Sequence, residues 1–166
     1  MVPVRYSKLV SALGELGMHV DLSTLSSRII LQKRAYFLQA FGLPIGYSFG
    51  WYVFGPYSSE LTKEAYAGEG LERTVTISSI FNRAIMVYEN RFRTFFSQVF
   101  ELSQSGHGEE YWLELLSSLH YLGTARGASP SREGVFSLLS QLKPNKFEPT
   151  DMDRAWGVLN RHRLLN

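Results

Sequence analysis

A serine between two glycines, four histidines and a few polar residues on an otherwise apolar helix are the groups here whose types and spacing bear on chemistry. Gly46-Tyr47-Ser48-Phe49-Gly50 matches G-x-S-x-G, the pattern that places a nucleophilic serine on a sharp strand-to-helix turn. The residues after Ser48 read on as a strand instead, with no surrounding series of parallel strand–helix units. The glycines are therefore expected to let bulky neighbours pack. His19, His107, His120 and His162 do not pair at metal-ligand spacing. His107 and Glu109 lend two ligands only to a site completed elsewhere, and Glu109-Glu110 reads more simply as negative charge at a helix start. The isolated glycine pairs make no phosphate cradle. The absence of cysteine excludes thiol catalysis, disulfides and iron–sulfur ligation. No metal and no cofactor is expected. An enzyme would have to rest on Glu60 or His107, with no positive signal behind either, and the chain reads as non-catalytic.

The polar residues that remain sit on one helix. Thr24 to Phe41 has helical phase, with Asp21 or Ser23 as its cap and Gly42 as its stop. Leu25, Ile29, Tyr36 and Ala40 form one arc, and Ile30, Phe37, Leu38 and Phe41 another. Arg28, Gln32 and Gln39 share a narrow polar ridge, with Lys33 and Arg34 at the edges of the apolar arcs. A helix that is apolar nearly all round is central and buried. Its cations then snorkel, or they meet a carboxylate or a partner.

Around that helix the sequence predicts a mainly α fold: a single domain over residues 1–166, a compact bundle of six or seven helices with a small two-stranded β element. A first helix runs from Val4 to about Leu16. "YSFGWYVF" alternates, with Tyr47, Phe49, Trp51 and Val53 on one face and Ser48, Gly50, Tyr52 and Phe54 on the other. Gly55-Pro56 is expected to end that strand, and Ser58 to cap a short helix to about Ala67. "RTVTI" at 73–77 reads as the second strand. Phe81, Ile85, Tyr88, Phe92, Phe95, Phe96 and Val99 make a full helical seam, capped at Ser78 or Ser79. Trp112, Leu115, Leu116, Leu119 and Leu122 face inward on the next helix. Ser129-Pro130 opens another, and Thr150 with Asp153 caps the last, which buries Met152, Ala155, Trp156 and Leu159.

Composition narrows the partners. Hydrophobic residues are 45%, charged residues 19% and the net charge +2, a globular chain with no strong overall pull toward nucleic acid. Residues 35–59 carry no charge at all, but glycines, prolines and glutamine interrupt them, so a buried helix end and strand fit better than a membrane span. "MVPVRYSKLV" lacks the apolar core of a secretory signal, and a cytoplasmic protein is expected.

"LQKRAYFLQAFG", Leu31 to Gly42, followed by "WYVFGPYSSEL", resembles the Panacea-domain family and related uncharacterised prokaryotic proteins. Leu31, Gln32, Lys33, Tyr36, Trp51, Gly55 and Pro56 match the pattern. Tyr57-Ser58 follow Gly-Pro where Panacea members more often have valine, which looks like the uncharacterised "GPYS" branch, as do "HYLGTARG" and "LKPNKF". The resemblance implies a mainly helical domain without known catalysis, and an antitoxin-like role in which a toxin is neutralised by binding it. The expected partner is therefore a protein. Arg28, Gln32, Lys33, Tyr36, Tyr52, Gly55, Pro56 and Tyr57 are the candidates for its surface, and Leu31 and Trp51 are expected to be structural. The alternative is a winged-helix nucleic-acid binder, the N-terminal half supplying the helix pair and wing, with Arg28, Lys33 and Arg34 reaching phosphates. Against it, a recognition helix needs an exposed polar face.

Overall fold

The computed structural model describes residues 2–70, 79–124 and 131–165. Among these are seven helices: α1 (Val4–Glu15), α2 (Leu25–Ala40), α3 (Ser59–Gly68), α4 (Ser79–Leu102), α5 (Glu109–Thr124), α6 (Arg132–Leu142) and α7 (Pro149–Arg161). One sheet joins β1 (Gly50–Tyr52) to β2 (Gly55–Tyr57), antiparallel. The mainly helical architecture expected from periodicity is the observed one.

The seam of α4 is buried as its spacing requires, from Phe81 through Val99, with Tyr88 partly covered and Asn90, Thr94, Ser97 and Glu101 outside. Helix α5 is central, burying residues on nearly every side, including Glu114, Ser117, Ser118 and His120. It packs against α2, α6, α7, α4 and β2. Helix α2 buries eight residues, among them Gln32 and Lys33. One apolar cluster links all seven helices. Within it the rings of Phe37 and Phe95 lie 4.6 Å apart, and Phe41 meets both Phe92 and Phe95 edge-on.

Several boundaries differ from the sequence reading. Thr24, rather than Asp21 or Ser23, caps α2. Its side chain accepts from the Ser27 N–H, and Ser27 returns the bond to the Thr24 N–H. Serine here does what glutamate does in the usual box. Gly42 does lie past the end of α2, at φ 114°. Pro149 begins α7 after Glu148, so Thr150 lies inside the first turn and does not cap it. Ser131 caps α6 through the Gly134 N–H, while the expected cap at 129–130 lies outside the described residues.

The largest correction concerns the sheet. The alternating stretch is extended from Leu43, with Leu43, Ile45 and Tyr47 buried between exposed Gly42, Pro44, Gly46 and Ser48. The chain then reverses at Val53-Phe54, and Gly55-Pro56, expected to end the strand, opens the return strand. The register pairs Gly50 with Tyr57, Trp51 with Pro56 and Tyr52 with Gly55. Gly55 at φ 86° takes the backbone conformation that side chains resist. The strand expected at 73–77 lies outside the described residues. Val53, expected on the same strand face as Tyr47, Phe49 and Trp51, lies in the turn and is exposed.

Candidate functional site

The polar ridge of α2 holds the extended segment in place. Gln39 Oε1 accepts the Gly46 and Tyr47 N–H groups, and Gln39 Nε2 donates to the Tyr47 carbonyl. Two turns earlier, Gln32 repeats the arrangement: Oε1 accepts the Ser58 N–H at 2.9 Å and Nε2 donates to the Ser58 carbonyl and to Thr62 Oγ1. A primary amide has a donor and an acceptor side by side, so it can pair with the N–H and C=O of one residue as a neighbouring strand would.

Lysines fasten the hairpin between these two clamps. Lys33 Nζ donates to the Pro56 carbonyl at 2.6 Å, and Lys143 Nζ to the Val53 carbonyl at 2.5 Å. Lys143 and Lys146 each lie 2.7 Å from Oε1 of Glu114, which is buried on α5. Lys146 also covers the Phe54 ring. One carboxylate thus anchors two cations, and a third stands nearby without touching it. Burial holds the Lys33 amine down to about 7, with Lys143 and Lys146 pushing the same way and Glu114 opposing.

The strapped hairpin presents its two faces differently. Trp51 is half-buried and packs on Tyr121 of α5. Tyr52 and Tyr57 stack on the opposite face, ring centres 5.2 Å apart. Between that face, α2 and α3 lies a cleft of about 220 Å³. Tyr52, Phe54, Tyr57 and Tyr66 wall it with Leu25 and Ile29, while Arg28, Gln32 and Lys33 contribute the polar atoms. Leu25, Tyr52 and Tyr66, which line it, are each at least half exposed.

Five of the eight expected partner residues therefore line one cleft: Arg28, Gln32, Lys33, Tyr52 and Tyr57. The other three are placed elsewhere. Tyr36 is in the core, its hydroxyl 2.6 Å from His120 Nδ1, and Gly55 and Pro56 are buried in the hairpin's return strand. These three, like Gln32 with its inward-turned amide, position the cleft rather than present a surface. Leu31 is core, as expected. The nucleic-acid reading of α2 is not supported by its geometry: Lys33 is buried, and Arg34 is half-buried and bonded to Glu109 at 2.8 Å. Sequence reasoning did not find Phe54, Tyr66 or the Glu114–Lys143–Lys146 group. Glu114, flanked by leucines on an apolar helix, was the available signal.

The remaining chemical candidates are accounted for locally. Ser48 is exposed on the extended segment. Glu60 and Glu64 hold Arg5 of α1. His107 meets Asp151 and Glu148 rather than Glu109, the three ligand atoms lying within 4.8 Å of one another. Tyr111 organises them, stacking on His107 and donating to Asp151 Oδ2. Arg154 stands 3.7 Å from the other Asp151 oxygen, and the N-terminus of α7 adds positive potential. Arg154 and the helix terminus thus offset part of the group's negative charge.

The chain matches no protein-family model, no curated protein and no solved structure. Among the described residues no helix is long and apolar enough to cross a membrane.

Proposed function

We propose that the chain is a non-enzymatic protein-interaction domain, antitoxin-like in the sense that its sequence resemblance implies, and that a cytoplasmic protein partner seats on the outer face of the hairpin. The observation that carries this reading is the contrast across β1–β2. Its backbone is fastened at Val53, Pro56 and Ser58 by Lys143, Lys33 and the Gln32 amide, while the rings of Tyr52 and Tyr57 stand at an open cleft. Fastening removes the entropy a loop would lose on binding, and tyrosine suits an interface centre. The test is affinity capture from the native host with the wild type and a Tyr52→Ser/Tyr57→Ser double variant. A partner held by the wild type and lost by the folded variant supports the reading. Equal capture by both removes it.

A second reading, separate from the winged-helix one expected from sequence, is nucleic-acid binding at a different surface. Arg91, Arg93, Arg161 and Arg163 line two adjoining clefts between α4 and the end of α7, which share Thr94, Arg161 and His162. Arginines gathered this way suit phosphate oxygens. Anisotropy of labelled duplex DNA should then fall steeply with salt. No binding at low salt removes this reading.

A further inference from the structure

The floor of the cleft holds an amine whose positive charge, when it carries one, its surroundings do not balance. Lys33 is 1% exposed and lines the cleft. An ammonium has three N–H donors, and among the described residues Pro56 is the acceptor that Lys33 reaches. Glu114, the carboxylate acting on it from α5, is bonded by Lys143 and Lys146 instead. A buried cation without counter-charge or full hydrogen bonding is unfavourable, and an acceptor entering the cleft would relieve it. Arg28 at the same cleft gives one N–H to the Leu22 carbonyl and has further donors. The walls are aromatic and aliphatic. At about 220 Å³ the space exceeds an apolar cavity of about 150 Å³, which takes a benzene ring.

We propose that this cleft binds a small aromatic or branched-chain carboxylate, its apolar body among Ile29, Tyr52 and Tyr57 and its carboxylate against Lys33 Nζ and Arg28. A single planar anion on an apolar body matches one buried ammonium inside an apolar wall better than a bulky, strongly hydrated phosphate does. The inference concerns the floor of the cleft and stands whether or not a protein covers its rim. The groups facing Lys33 are Glu114 from α5, Lys143 and Lys146 from the segment after α6, and the hairpin carbonyl of Pro56. With its amine held down to about 7, Lys33 is incompletely charged just above neutrality. A bound carboxylate would draw a proton onto it.

The test is calorimetric titration of the whole chain at about pH 7.5, in two buffers of different ionisation enthalpy, with phenylacetate, benzoate and 3-methylbutanoate. Phenylacetamide serves as the uncharged control. The expected result is binding of at least one acid, about tenfold or more weakening for the amide, and heats that differ between buffers by net proton uptake. Affinity should fall as pH is raised toward about 9. Lys33→Met should abolish the proton uptake and the preference for acid over amide, while Tyr57→Ala should weaken acid and amide alike. The proposal is overturned if no acid binds at about 10 mM, if acid and amide bind equally, if no proton is taken up, or if a folded K33M keeps the preference. The wild-type titrations decide on their own if K33M does not fold. Partner capture fails or succeeds separately, because it reads the rim.

Discussion

The ammonium of Lys33 lies 2.6 Å from the carbonyl oxygen of Pro56, joining α2 to the return strand of the hairpin across 23 residues of chain. The bond is buried, and its donor is a group that folding strips of water. Its contribution should therefore depend on pH. Lysine titrates near 10.5 when unfolded, and Lys33 near 7 in the fold. Between those values the unfolded chain holds a proton that the folded chain has released, so this residue makes stability rise with pH through the window. Below it both states are protonated and the burden of the buried charge is constant. Urea unfolding from about pH 6 to 10 should show wild type gaining on Lys33→Met, with a slope of at most about 1.4 kcal/mol per pH unit. A pH-independent difference would contradict this assignment.

Glu114 should matter more to stability than either lysine bonded to it. Glu114→Gln leaves Lys143 and Lys33 buried beside no anion, and a broken buried pair costs about 3–5 kcal/mol. Lys146 is partly exposed, and Lys146→Ala should cost less than about 1 kcal/mol. Urea midpoints of the two variants check the order. Equal losses would show that Glu114 is not the anchor.

Gly55 has two reasons to be glycine. Its φ is 86°, and an added Cβ would lie 2.5 Å from Ser118 Oγ. Gly55→Ala should destabilise by about 1–3 kcal/mol or more. In a Ser118→Ala background the close contact disappears while the backbone strain remains, so part of the loss should be recovered. Thermal unfolding of the single and double variants separates the two causes.

Tyr36 and His120 form a buried pair that acid should open. Burial holds His120 down to about 4, against an ordinary 6.5, so the ring is neutral in the fold, with its Nδ1 hydrogen-bonded to the Tyr36 hydroxyl at 2.6 Å. As pH falls from 6.5 to 4, the unfolded chain takes up a proton that the folded chain refuses, and this histidine lowers stability across that range. His120→Phe should flatten that part of the profile. Tyr36→Phe leaves the buried ring nitrogen without its hydrogen-bond partner and should cost about 1–3 kcal/mol near neutrality. Histidine NMR titration checks the protonation directly.

The sequence reveals helices wherever burial follows a single period. The seam from Phe81 to Val99 needed only spacing, because each of its residues faces one core. The apolar character of α2 likewise announced its central place. The hairpin was harder to see, since alternation shows which residues share a face but not where the strand turns back. Val53-Phe54 is not a usual turn pair, and the left-handed residue is Gly55, just after it. The site shows the same division. Tyr52 and Tyr57 were legible as outward residues. Glu114 and its lysines, 29 and 32 residues apart, meet only through tertiary packing that no local pattern carries.

Lys143 reaches back 90 residues to fasten the hairpin at Val53. During synthesis the aromatic tip must therefore emerge from the ribosome long before its fastener does. Until the segment after α6 is translated, the turn lacks that bond, although Lys33 and Gln32, which hold Pro56 and Ser58, are already made. The order of translation thus lets the return strand be tethered well before the turn is.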